Sequence, residues 1–246
     1  MTHYPFPDGR GTKIAFAAFF TAMLFLARDS MFTTAVIGFE KAQFLMLGVI
    51  CLMGVAFLIV NRRKLPQILK DRRMIVAGVA AAVLLLPMLV KRDWQLMYFS
   101  VLLCLLTAVL LSYFLTVREA AKYYVVILSV LGAYSVLAAY ILRIGVDKGV
   151  YAVPVFQNSM GFEFHNFFLS IVPDTYVKNR NFGIFREPGV YQFFLITALY
   201  LNNYEVEWKR PWQLWLANGI LAATMVSTFA TGGVAEMGLL AGVLFF

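Results

Sequence analysis

Charge is scarce in this chain. Of its 246 residues, 14% are charged and 61% are hydrophobic, and the mean hydropathy is +0.77. A soluble domain is about 25% charged and about 45–50% apolar. That shortage excludes a fold that hides its apolar surface from water, and leaves lipid as the solvent. Cysteine is nearly absent. Cys51 and Cys104 each fall inside a long apolar run, so no disulfide framework or thiolate metal site is expected, and both read as small buried hydrophobes. Paired histidines at metal-binding spacing, a glycine-rich phosphate loop and an internal repeat are all missing. Within the apolar runs proline occurs once, at Pro87 near the end of a run, which argues against helices broken at mid-membrane. Short period-2 alternation is lacking too, which excludes a membrane barrel.

Long apolar runs are what the chain has. Backbone groups must be paired inside hydrocarbon, so runs of about 20 apolar residues imply helices. The expected fold is all-α, a polytopic transmembrane bundle of about eight spans. These are Ile14–Ala27, Ala42–Val60, Met74–Val90, Leu96–Leu115, Tyr123–Leu142, Val190–Leu201, Gln213–Thr228 and Val234 to Phe246. Residues 1–246 are read as one membrane domain. The polar start, Met1–Lys13, with Pro5 and Pro7, is expected to stay uncleaved. The last run has 13 residues, about 20 Å of helix, so the native chain is expected to continue past Phe246.

Basic residues set the expected orientation. Asn61–Arg73 carries Arg62, Arg63, Lys64, Lys70, Arg72 and Arg73, a strong cytoplasmic anchor. With that loop inside, the short inner segments hold 12 Lys and Arg and the short outer loops 4. The N-terminus is then cytoplasmic. The net charge of +8 reports this orientation, and no nucleic-acid partner is expected. The long loop Arg143–Gly189 falls outside. It holds nine aromatics, too many for a solvated tail, and is expected to fold partly on the membrane, with His165–Val172 as a short interfacial helix.

Within that loop, Arg180-Asn-Phe-Gly-Ile-Phe-Arg-Glu-Pro188 is the densest chemistry in the chain. Pro188 suits the first position of the following helix, and Glu187 complements its positive end. Gly183 permits a tight turn or a close backbone approach. Lys178, Arg180 and Arg186 place three cations at headgroup depth. Beside free helix N–H groups, such a cluster suits phosphate or pyrophosphate. On the residues alone, simple anchoring of cations to lipid headgroups is the stronger reading of the two. His165, alone in the aromatic loop, reads as structural. Glu236 sits just inside the last run, and Arg28 and Asp29 sit at the end of the first.

The pattern Arg-x-x-Gly-x-Phe-x-Glu-Pro, carried by Arg180, Gly183, Phe185, Glu187 and Pro188, resembles the O-antigen ligase and polysaccharide polymerase family. The continuation Gly189-Val-Tyr-Gln-Phe-Phe-Leu is similar to the same family. Ser227-Thr-Phe-Ala-Thr-Gly-Gly233 resembles its Ser/Thr-rich turn, departing from it by an additional Phe-Ala. The likeness covers roughly residues 178–240; the earlier spans agree in number and hydropathy only. It implies transfer of glycan units from a polyprenyl pyrophosphate carrier at the outer face of a bacterial plasma membrane. It implies Arg180 and Glu187 as catalytic residues, Arg180 contacting pyrophosphate and Glu187 orienting an arginine or capping the helix. Lys178, Arg186 and Gly183 would bind substrate. The implied partners are the lipid-linked oligosaccharide, membrane lipid and other polysaccharide-assembly proteins, with no metal and no cofactor. The group activating the acceptor is expected beyond Phe246. A transporter or flippase for lipid-linked glycans, or a structural membrane subunit, are the alternative readings.

Overall fold

The computed structural model describes residues 10–27, 30–31, 37–62, 70–92, 96–157, 161–174 and 180–229. Among them are seven helices and one small sheet. The helices are α1 (Arg10–Leu26), α2 (Phe39–Asn61), α3 (Arg72–Lys91), α4 (Leu96–Phe114), α5 (Val117–Asp147), α6 (Pro188–Tyr204) and α7 (Pro211–Ser227). Between α5 and α6 lie β1 (Val155–Gln157), β2 (Glu163–Asn166) and β3 (Ile171–Pro173).

The eight-span, all-α bundle expected from hydropathy is not what forms. Among the described residues two helices are long and apolar enough to cross a membrane, Arg72–Val90 and Val117–Asp147. Helices α1, α6 and α7 have 17 residues each, about 25 Å, short of a hydrocarbon core of about 30 Å. In α2 the apolar helical stretch is Lys41–Ala56, also short. The expected span from Val234 to Phe246, with Glu236 in it, lies outside the described residues. The sheet removes the all-α description.

Local chemistry sets the helix ends. Asp71 caps α3, its side chain accepting from the Arg73 N–H at 2.9 Å. Before α5, Thr116 and Glu119 form a reciprocal box. The Glu119 N–H donates to Thr116 Oγ1 at 3.2 Å, and the Thr116 N–H donates to Glu119 Oε2 at 2.9 Å. Pro188 and Pro211 open α6 and α7.

The chain divides into two compact units. One comprises Met1–Leu26 and Glu40–Ala120, the other Ala27–Phe39 and Ala121–Phe246. In the first, α3 packs on α4. Of the most apolar window of α3 only 6% is buried within the protein. That share separates α3 from the core helix of a soluble fold and leaves Val79, Val83 and Leu86 facing outward. Cys51 and Cys104, expected to be buried, are both exposed.

In the second unit, α6 packs on α7, and a π-helical turn at Ala138–Leu142 interrupts α5. The sheet is antiparallel in the order β1–β2–β3, with Phe156 opposite Phe164 and His165 opposite Val172. The expected interfacial helix at His165–Val172 is therefore a hairpin. Eight residues make too few turns for a lone helix, and pairing with β1 satisfies the backbone instead. The hairpin packs on α5 through Phe167 and Val172 against Ala138, with Tyr134 and Leu142 beside them.

Candidate functional site: a polar turn at the mouth of α6

Residues 180–187 lead into the start of α6 as a buried turn with exposed ends. Asn181, Phe182, Gly183, Ile184 and Phe185 are buried, and Arg180, Arg186 and Glu187 are exposed. Backbone bonds fix the turn on two sides. The Ile171 N–H donates to Gly183 O at 2.6 Å, the Met31 N–H donates to Ile184 O at 2.8 Å, and Ser30 pairs with Phe185 as an isolated bridge. Phe182 joins Met31, Phe164 and Ile171 in an apolar cluster. Phe185 stacks on Phe194 of α6, ring centres 4.4 Å apart.

Gly183 answers both demands suggested for it. Its φ is +57°, in the left-handed region, and a Cβ there would lie 2.6 Å from Cε1 of Tyr191. Glu187 stands at the N-cap of α6, but its side chain makes no capping bond. Its carboxylate lies 3.9 Å from Arg186 Nε, so capping, one of its two expected roles, is not made. Lys178 lies outside the described residues, as do Arg28 and Asp29.

Asn181, between two singled-out residues, is the member that sequence reasoning missed. Its Nδ2 donates to Ser135 Oγ at 2.8 Å and to Ser227 Oγ at 2.9 Å, and its Oδ1 accepts from the Gly183 N–H at 2.9 Å. Its own N–H donates to Ser227 O at 3.0 Å. Ser135 Oγ donates to Gly132 O at 2.9 Å and lies 3.1 Å from the Tyr191 hydroxyl, which fills its hydrogen-bonding capacity. Tyr140, inside the π turn, donates to Ser227 O at 3.1 Å, and Gln192 Nε2 donates to Thr228 Oγ1 at 2.7 Å. A buried polar cluster thus ties α5, the turn, α6 and α7 together. The stretches singled out in the sequence meet here: 180–189 and its continuation through Leu195 reach the start of 227–233 through Asn181–Ser227 and Gln192–Thr228. Ser, Thr and Asn inside apolar helices are the available signal, since such groups hold helices together where water is absent.

His165 has a partner that the sequence did not disclose. Its Nε2 lies 3.3 Å from Asp174 Oδ1. Buried Arg143 donates to Asp174 O at 2.9 Å and lies 3.6 Å from Asp147. These contacts fasten the sheet to the end of α5. Among the described residues no group of His, Cys, Asp and Glu could hold a metal ion.

Chemically, the turn carries an exposed arginine at each end, Arg186 standing next to the N-cap of α6, on a backbone that internal bonds hold in place. Such an arrangement suits an anion. Comparisons with family models, curated proteins and solved structures give no match to this chain.

Proposed function

We propose that the protein is a membrane glycosyltransferase of the O-antigen ligase or polysaccharide polymerase type. It takes glycan units from a polyprenyl pyrophosphate carrier at the outer face of a bacterial plasma membrane, its N-terminus cytoplasmic. One observation carries the reading: Arg180 and Arg186 project from a turn whose intervening residues are buried and bonded at both sides. A side chain placed only to reach lipid headgroups has no need of so rigid a base. In the proposed reaction an acceptor hydroxyl attacks the anomeric carbon, and the carbon–oxygen bond to the carrier's pyrophosphate breaks. Arg180 meets the charge that develops on the leaving pyrophosphate, assisted by Arg186 or Lys178, and Glu187 orients an arginine. Preorganised cations aimed at developing charge are a strong catalytic device. The outward apolar faces of α3 and α5 and the basic stretch at 61–73 support the membrane setting and the orientation.

The test is Arg180→Ala in cells that lack the unsubstituted protein. Glycan extension or transfer should fall by about 10²–10³-fold while the protein accumulates normally. An unchanged glycan length profile contradicts the assignment.

One observation favours the alternative, a transporter or flippase for lipid-linked glycans. The π turn interrupts α5 beside a buried arginine, and interrupted helices with polar cores are what transporters use at their binding sites.

A further inference from the structure

Helix α5 has an apolar outer surface, and the β2–β3 hairpin lies against it. Along α5, Val126, Val130, Ala133, Leu137, Ile141 and Ile144 are all exposed. Their spacing of three and four residues makes one outward stripe, about 27 Å long at 1.5 Å per residue. That stripe is the face a membrane-spanning helix turns to acyl chains.

The β2–β3 hairpin reaches well down this helix. The Tyr134 hydroxyl donates to Phe167 O at 2.6 Å. Tyr134 lies ten residues before Ile144, about 15 Å back along the axis. Helical side chains also lean toward the N-terminus, which sets the contact deeper still. The hairpin tip is therefore level with the interior of the stripe.

The tip is built for a medium without water. From Asn166 to Pro173 the sequence carries no charge, whereas Glu163, His165 and Asp174 sit at the hairpin's base. Four successive backbone donors of the tip, those of Asn166, Phe167, Phe168 and Leu169, are bonded within the protein. The Asn166 N–H donates to Pro154 O at 2.8 Å, Phe167 N–H to Ser170 O at 2.9 Å and Leu169 N–H to Phe167 O at 2.9 Å. The Phe168 N–H donates to Asn166 Oδ1 at 2.9 Å. Hydrocarbon demands this internal pairing, whereas a surface turn in water does not need it. At the apex Phe168 is 82% exposed and sits at a φ of +73°. Bulky residues seldom adopt that conformation and hold it only where the surroundings impose it. The bonds just described impose it and leave the ring outside.

We propose that the β2–β3 hairpin enters the lipid layer beside the carboxyl-terminal half of α5, with the Phe168 ring among the acyl chains. The proposal rests on α5 spanning the membrane and not on the reaction proposed above.

A nitroxide label reports the surroundings of residue 168 directly. Phe168→Cys, in a chain carrying Cys51→Ala and Cys104→Ala, is spin-labelled and reconstituted in phosphatidylcholine–phosphatidylglycerol vesicles. Collisions with oxygen, which partitions into lipid, are compared with collisions with a water-soluble nickel chelate. Val130→Cys on the stripe and Lys148→Cys beyond the end of α5 are the references. The label at 168 should match Val130, with oxygen collisions exceeding nickel collisions several-fold, and Lys148 should show the reverse. A label at 168 that behaves like Lys148 while Val130 stays in lipid overturns the hairpin proposal and leaves the span intact. Water contact at Val130 as well removes the span and the proposal together. A label at 168 shielded from both reagents places protein rather than lipid against the ring, and also overturns the proposal.

Discussion

At the residue scale, exposed cations and their buried supports should separate cleanly. Arg180 projects from the turn and Asn181 anchors it, so adjacent substitutions should fail in different assays. Asn181→Ala removes three side-chain hydrogen bonds and strands the Gly183 N–H in the interior. Each group left unpaired costs about 1–3 kcal/mol. Gly183→Ala forces alanine into a left-handed backbone, at about 1–2 kcal/mol, and drives its Cβ against Tyr191. Both variants should lower the thermal midpoint in detergent, by about 2–4 °C per kcal/mol for a chain of this size. Arg180→Ala should leave it where it is. An Asn181 variant as stable as the unsubstituted protein would remove the anchoring role from this account.

At the element scale, the start of α3 carries a pH dependence of known sign. Asp71 accepts from the Arg73 side chain, Nη2 to Oδ2 at 2.9 Å, and from the Arg73 N–H, also at 2.9 Å. Arg73 in turn donates to Ser112 O of α4 at 2.6 Å and lies over the Tyr113 ring. The Arg73 side-chain hydrogen bond, then the bond from its backbone N–H, hold the Asp71 carboxyl below the usual carboxylate range. A carboxyl lowered by folding stabilises the fold above its unfolded pKa, about 3.9. That contribution is lost as pH falls through the lowered folded value. Asp71→Asn should therefore destabilise the protein at neutral pH, and the gap from the unsubstituted protein should close below about pH 4. Urea or thermal unfolding across that range measures it, and a gap that persists in acid contradicts the assignment.

The positions of the elements were more legible than their kind. Hydropathy located α3, α4, α6 and α7 to within a few residues, because Pro188, Pro211 and the charges near Arg72 and Lys91 mark where apolar helices must end. Hydropathy measures composition, however, and not length in the fold, so 17-residue helices passed as spans. The sheet was hidden because both residues of pairs such as Phe164 and His165 are mostly covered, leaving no alternation to read. Asn181 and Ser135 were hidden because a polar residue in an apolar run looks the same whether bonded or idle. Gly183, Arg186 and Glu187 were legible as a group, since glycine, charge and proline crowd together there. The distant partner Ser227 was visible only as a separate Ser/Thr-rich stretch.

At the scale of the whole molecule, two kinds of surface organise the chain. The outward faces of α3 and α5 are apolar over lengths that match a membrane, and polar bonding is drawn inward, to Asn181, Ser135, Ser227 and Arg143. The exposed charge of the second unit gathers partly at the mouth of α6, where Arg180 and Arg186 flank the turn. An enzyme uses such a place to stabilise a leaving group, and a transporter uses it to hold cargo. The most direct measurement puts the protein into vesicles with a polyprenyl-pyrophosphate-linked oligosaccharide and an acceptor glycan, and follows both products and carrier. The account predicts lengthened or transferred glycan with release of polyprenyl pyrophosphate, reduced about 10²–10³-fold by Arg180→Ala. Movement of intact carrier across the bilayer without any new glycan bond would contradict it and establish the transporter instead.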